Sequence, residues 1–332
     1  CPLILGSATP SLETWVEAFG ENDRETKIPD DTENTSQLST FNFQLSTNHY
    51  LPLPNRVQSR PLPPVEVVDM RAELQAGNKS IFSRSLQTAL QGLQEKGQQG
   101  ILFINRRGHS TFVSCRSCGY VMECPHCDVS LAYHYTQEHS TQLLRCHYCN
   151  HTQLQPPQCP ECGSPYLKFF GSGTQRVVQE LLREFPDLRA IRFDSDTTRT
   201  KDAHRTLLSR FANGDADVLV GTQMLAKGLD LPSVSLVGVV AADGLLHLSD
   251  FAASERAMQT LMQVAGRSGR GDDPGQAIIQ TYTPDHPVIQ AVRNHDYQTF
   301  IEEELDARMA LNYPPYGQLV LLRLSGLDEA EV

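Results

Sequence analysis

Eight of the nine cysteines fall into four Cys-x-x-Cys pairs: Cys115/Cys118, Cys124/Cys127, Cys146/Cys149 and Cys159/Cys162. Five, eighteen and nine residues separate successive pairs. A two-residue spacer lets a tight turn present both sulfurs to one ion. The turns carry suitable residues, as in Cys118-Gly119, Cys124-Pro125 and Cys159-Pro160-Glu161-Cys162-Gly163. Zinc takes four thiolates tetrahedrally at ~2.3 Å, so eight thiolates make two closed sites with no open position, structural rather than catalytic. Four disulfides are disfavoured, because nothing suggests secretion and Cys-x-x-Cys disulfides are strained or redox-active. Iron–sulfur clusters use other spacings. His126, His134, His139, His147 and His151 lie nearby but are surplus to two ions that already have eight thiolates. Cys1, the ninth cysteine, is expected to be a core thiol.

Spacing alone leaves the pairing open. Adjacent pairing would join the first two pairs. Nested pairing would join the first with the fourth and the second with the third. The five-residue gap is short for one site holding both flanking pairs. Nesting also draws the two ends of the block together, as insertion into a folded domain requires.

A second stretch with chemical potential is Gln263-Val264-Ala265-Gly266-Arg267-Ser268-Gly269-Arg270, after a run with helical spacing. Two arginines three apart at a helix end, with glycines admitting close approach, can reach a phosphate and stabilise charge as it leaves. The plain alternative is an arginine-rich helix end making surface salt bridges.

These residues need elements to hold them. Periodicity predicts strands at 65–68, 101–104, 190–193, 217–220, 235–240 and 276–281, and helices at 83–96, 174–184, 201–212 and 254–264. Strands alternating with helices imply a parallel α/β sheet. Before them stand a short strand at Leu3-Ile4-Leu5 and a helix over 11–18 that Ser11 could cap. Residues 21–64 lack periodicity and read as a linker or insertion. Two helical stretches within 288–309 and a strand over 319–324 close the chain.

The bulk numbers suit this picture. The 332 residues allow two domains or one large one, and no apolar run is long enough for a membrane span. The chain begins without Met, inside what reads as a strand, and so is expected to be the C-terminal piece of a longer protein. Net charge is −11, which argues mildly against nucleic acid as a partner. Arginines nevertheless concentrate in short loops, at Arg106-Arg107, Arg267 and Arg270.

The arginine stretch resembles the sixth motif of superfamily 2 helicases. Val220-Gly221-Thr222-Gln223-Met224-Leu225-Ala226-Lys227-Gly228-Leu229-Asp230 resembles motif V, Gly6-Ser7-Ala8-Thr9-Pro10-Ser11 motif III, and Asn105-Arg106-Arg107-Gly108 motif IV. These motifs are read at strand ends of the parallel sheet, whose carboxyl ends gather ligands. With the cysteine block between motifs IV and V, the chain resembles the primosomal protein N′ family of replication-restart helicases. Further support comes from Arg60-Pro61-Leu62-Pro63-Pro64 through Arg71, Gly173-Thr174-Gln175, Asp243-Gly244 and Tyr313-Pro314-Pro315-Tyr316. The chain departs from the family at Leu229, where His is frequent, and at Gln175, where Glu is common.

The resemblance implies a RecA-like parallel-sheet motor domain with an inserted binuclear zinc module and the start of a C-terminal α+β domain. The implied divisions are 1–20, the end of a first motor domain; 21–64, a linker; 65–111, the start of the second motor domain; 112–167, the zinc insertion; 168–283, the rest of the motor; and 284–332, a helical segment leading to a C-terminal domain. It implies nested pairing, Cys115/Cys118 with Cys159/Cys162 and Cys124/Cys127 with Cys146/Cys149. It implies phosphate and nucleotide roles for Gln263, Arg267, Arg270, Gly228 and Asp230, and DNA contacts for Thr222, Gln223 and Arg106. The implied activity is ATP-dependent 3′-to-5′ DNA unwinding at stalled forks and help in reloading the replicative helicase, by a cytoplasmic monomer using ATP and Mg. Implied partners are forked DNA, single-strand DNA-binding protein and other primosome proteins, with no membrane.

Two parts of such a motor are missing from the sequence. Gly-x-x-x-x-Gly-Lys-[Ser/Thr] occurs nowhere, and the single Asp-Glu, at 328–329, lies in the tail. The chain alone is therefore expected not to hydrolyse ATP. The competing readings are a zinc-dependent scaffold with vestigial motor motifs and a rubredoxin-like electron carrier.

Overall fold

The computed structural model describes residues 7–19, 61–105, 111–127, 129–134, 143–146, 149–169, 173–198, 200–222, 225, 231–248, 250–271 and 274–320. Cys1, the expected strand at Leu3–Leu5, most of the 21–64 segment, and Arg106, Gln223, Gly228 and Asp230 lie outside them. Two compact units are present, residues 60–300 and residues 1–59 with 301–332.

The larger unit holds a six-stranded parallel sheet. Its strands are β1 (Val65–Asp69), β2 (Gln99–Phe103), β8 (Ala190–Phe193), β9 (Val218–Gly221), β10 (Val234–Val239) and β11 (Gln276–Thr281), in the order β1-β11-β10-β2-β9-β8. Burial follows position. Central β2, β9 and β10 are buried at every residue, whereas edge strands β1 and β8 are partly open. Side chains alternate across the pleat, so Leu102, Val218, Val220, Leu236 and Ile278 share one face.

Helices α3 (Arg84–Glu95) and α4 (Thr174–Glu184) cover that face with Leu86, Leu90, Leu93, Val177 and Leu181. The Ser83 hydroxyl caps α3 by accepting from the Leu86 amide at 3.2 Å. Gly97, at φ +63°, ends it while Gln98 N donates to Leu93 O. Helix α5 (Lys201–Ala212) connects β8 to β9, and α6 (Asp243–Leu246) and α7 (Ala253–Ala265) connect β10 to β11. Helices α2 (Met70–Gln75) and α6 escape sequence periodicity because each spans fewer than two turns. Helix α8 (Pro287–Asn294) follows the sheet.

Between β2 and α4 the chain builds a second sheet from β3 (Thr111–Cys115), β4 (Ala132–His134), β5 (Leu143–Arg145), β6 (Thr152–Leu154) and β7 (Leu167–Phe169). It is antiparallel, in the order β6-β5-β4-β3-β7. The first and last strands pair, Cys115 opposite Leu167 and Val113 opposite Phe169. Its core contains Val113, Met122, Val129, Leu131 and Leu144 together with Cys124 and Cys146.

In the smaller unit α1 (Leu12–Phe19) starts where Ser11 accepts from the Thr14 amide at 3.2 Å. Arg308, on α9 (Tyr297–Ala310), is buried, and its Nε donates to Glu304 at 3.0 Å. Leu319 and Val320 form no strand, and the rest of the expected 319–324 strand lies outside the described residues. Among the described residues no helix is long and apolar enough to cross a membrane.

Candidate metal centres and the edges of the parallel sheet

All four cysteine pairs fold as one repeated turn. The amide of the first cysteine donates to the carbonyl five residues on: Cys115 to Tyr120, Cys124 to Val129, Cys146 to His151 and Cys159 to Ser164, at 2.8–2.9 Å. In three of them the residue after the second cysteine has positive φ, Gly119 at +84°, Asn150 at +59° and Gly163 at +69°. Glycine and asparagine are the types that tolerate this conformation. The sequence carried that signal at Asn150 as well as at the glycines.

The turns face each other in two groups. The sulfurs of Cys115, Cys118, Cys159 and Cys162 form one, those of Cys124, Cys127, Cys146 and Cys149 the other, and within each group all lie within 4.8 Å of one another. This is the nested arrangement. Cys115 to Cys162 is 3.7 Å, Cys118 to Cys159 is 3.6 Å and Cys124 to Cys149 is 3.5 Å. A tetrahedral zinc with ~2.3 Å bonds sets its sulfurs about 3.8 Å apart, whereas a disulfide needs about 2.0 Å. Two four-cysteine groups compatible with two zinc ions are therefore present.

In both groups the first cysteine of each pair is buried, while Cys118 and Cys127 are half-buried and Cys149 and Cys162 exposed. His126 is exposed and its ring lies 5.2 Å from that of His151, and neither belongs to a sulfur group. Without metal the thiols resist ionising together. Burial and the neighbouring thiols push Cys118 and Cys127 up to about 12. Burial also opposes ionisation of Cys115, but the amides of Cys118 and Ser117 outweigh it and hold that thiol at about 7.

The first centre rests on the carboxyl edge of the parallel sheet. Arg71, bidentate to Asp69 at the end of β1, donates from Nη1 to Cys118 O at 3.3 Å. Burial works against ionisation of Asp69, but Arg71 overrides it and holds the carboxyl low. A Cβ at Gly119 would sit 2.5 Å from Tyr282 O, so the turn and the end of β11 touch through backbone. Asn105 and Thr222 stand at the same edge, after β2 and β9. Thr222 is buried, and its carbonyl accepts from Leu225 N.

The arginine turn lies at the opposite edge. Helix α7 ends at Ala265 with Gly266 as its cap, so Gln263 is helical while Arg267 and Arg270 follow in a turn. Gly269 N donates to Val234 O at the start of β10, and Gly275 immediately precedes β11. A helix linking parallel strands returns the chain to their amino ends. The motifs thus lie at strand ends as expected, but the arginine turn is not at the carboxyl edge where ligands gather in such sheets.

The glycines here serve chain packing. Gly269 has φ +67°, and a Cβ at Gly275 would lie 2.3 Å from Gly269 N. A Cβ at Gly271 would lie 2.3 Å from Pro232 O, which brings the segment after Asp230 beside the arginine turn. Backbone cannot yield as a side-chain tip can. Gly275→Ala is therefore expected to destabilise by about 1–3 kcal/mol, read as a lower thermal midpoint with both zincs retained.

Residues 124–153 match the family described as the PriA DNA helicase Cys-rich region (CRR) domain, and residues 168–272 match the helicase conserved C-terminal domain. The whole chain is 65% identical to the replication restart protein PriA of Synechocystis sp. and 48% identical to that of Bacillus subtilis. It spans 37% and 38% of their lengths. Among solved structures, S. cerevisiae Dbp5 bound to RNA and ADP BeF3 aligns with 75% of this chain and 45% of its own, at 13% identity and a TM-score of 0.33. The parallel sheet is that of a RecA-like helicase C-terminal domain carrying a cysteine-rich zinc ribbon, and the chain belongs to the PriA family of replication restart proteins.

Proposed function

We propose that this chain is the second motor domain, with its zinc module, of an ATP-dependent 3′-to-5′ DNA helicase acting at stalled replication forks. Arg267 and Arg270, with Gln263, Gly228 and Asp230, supply one side of a nucleotide site. The other side, with the phosphate loop and the acidic pair that would hold Mg, belongs to a first motor domain. Thr222, Gln223 and Arg106 contact the DNA backbone. The two zincs hold the module's fold, and the module contacts forked DNA, single-strand DNA-binding protein or other primosome proteins. The protein works as a cytoplasmic monomer and helps reload the replicative helicase.

One observation carries this reading. The segment matching the helicase C-terminal family contains both Thr222 and the arginine turn, at opposite edges of one sheet interrupted by the cysteine module. A motor that couples nucleotide to DNA needs two such surfaces on one rigid body.

The purified chain is expected to show no DNA-stimulated ATP hydrolysis, while the complete protein hydrolyses ATP and unwinds a duplex with a 3′ single-stranded tail. Hydrolysis by the chain alone above background, or unwinding only from a 5′ tail, would overturn the proposal.

A further inference from the structure

Five consecutive residues, Asp243 to His247, touch residues of both the zinc module and the parallel sheet. Asn105, the first residue of the stretch resembling motif IV, donates from Nδ2 to Gly244 O at 2.6 Å. Asp243 is buried, and its carboxylate accepts from the hydroxyls of Thr281 and Thr283 and from the Tyr282 amide, at 3.0–3.1 Å for its Oδ1. Burying a carboxylate is costly unless its oxygens are bonded, and these donors all come from the end of β11. Tyr282 in turn reaches the first zinc turn. Its hydroxyl accepts from Arg116 Nε at 2.9 Å, and the guanidinium carbon lies 5.6 Å from the ring centre. Arg116 sits between Cys115 and Cys118.

The other end of the segment holds the module's inner strands. His247 O accepts from the Ser130 hydroxyl at 2.6 Å, and the His247 ring lies 5.3 Å from that of Phe112. Ser130 belongs to the stretch that closes the second centre's first turn, and Phe112 to β3. No slack exists at the first turn, where a Cβ at Gly119 would collide with Tyr282 O.

We infer that Asp243–His247 is a rigid coupler, and that Asp243, Tyr282 and Arg116 are positioning residues holding the first zinc centre in register with Asn105, so that DNA meets module and sheet edge as one surface. The DNA part of this inference rests on the proposed function; the mechanical link does not.

The test uses the complete protein carrying Tyr282→Phe with Arg116→Met, which keeps ring and stem but removes the hydrogen bond and the charge. Tyr282→Phe alone serves if the double variant does not hold two zincs. Zinc should stay at two per chain. Amide exchange over residues 243–247 should rise roughly tenfold, as expected for losing one hydrogen bond to a charged group, while exchange in β8 stays unchanged. The DNA concentration giving half-maximal ATPase should rise by a similar factor with the maximal rate unchanged.

Unchanged exchange at 243–247 overturns the coupler, and so does an equal rise throughout the sheet including β8. A local rise with unchanged DNA half-saturation overturns the positioning role. If the unaltered protein shows no DNA-stimulated ATPase, the proposed function fails, and the exchange measurement still decides the coupler.

Discussion

Arg270→Ala in the complete protein is expected to lower DNA-stimulated ATP hydrolysis by about 10³-fold or more, the usual effect of removing an arginine that meets a transferring phosphoryl group. Unwinding should vanish with it. The turn itself should survive. Its shape is set by Gly269 N on Val234 O and by the contact of Gly269 with Gly275, neither of which involves the Arg270 side chain. Arg270 Nε does donate to Gly266 O at 3.3 Å, a long bond whose loss costs little beside the catalytic effect. Zinc content should remain at two and the thermal midpoint nearly unchanged. Arg270→Lys should restore little, because a point charge does not reproduce a planar fork. A loss of only a few-fold in the Ala variant would remove Arg270 from the phosphate site.

The second large effect is expected from Cys124→Ser with Cys146→Ser. Both residues belong to the module's small core, packed among Val113, Met122, Leu131 and Leu144. A structural zinc contributes an apparent ~10–16 kcal/mol, more than so small a core supplies on its own. The variant should lose the second zinc and the ordered pairing of β4, β5 and β6, visible as lost amide-exchange protection in those three strands. Retained protection there without the second zinc would contradict the assignment.

Acid should act in the same direction as these substitutions. Zinc binds thiolates, and Cys118 and Cys127, pushed up to about 12, carry protons at neutral pH when no metal is present. Binding must displace those protons, so affinity falls as pH falls and zinc release accelerates on acidification.

Elements with one long apolar period were legible in the sequence. Leu86, Leu90 and Leu93 mark α3, and β11 and α4 fall at their expected residues. The sulfur chemistry was legible because a Cys-x-x-Cys turn is local. Spacing alone left the grouping of the turns open, because it depends on β3 pairing with β7 across the whole module; the nested form was expected only through the family resemblance. The Asp243 network was equally hidden. It joins residues 38–40 positions apart through side chains, and its helix is too short to show a period. The edge on which the arginine turn sits follows from the direction of α7, which a motif read in isolation does not reveal. Asn150 could have been read as the third left-handed turn residue beside Gly119 and Gly163.

The pairing of β3 with β7 has a consequence for how this domain tolerates change. Cys115 and Leu167 face each other across a strand pair, so everything between them leaves and returns at one point of the host. The host sheet is indifferent to the length of what lies beyond that point, because closing a longer loop costs little extra entropy once its stem is fixed. Changes of length between β4 and β5, outside the paired strands and the module core, should therefore accumulate freely. Those between Cys115 and Cys118, where the turn is locked against Tyr282, should not. The module is built as a graft whose tip can evolve while its stem cannot.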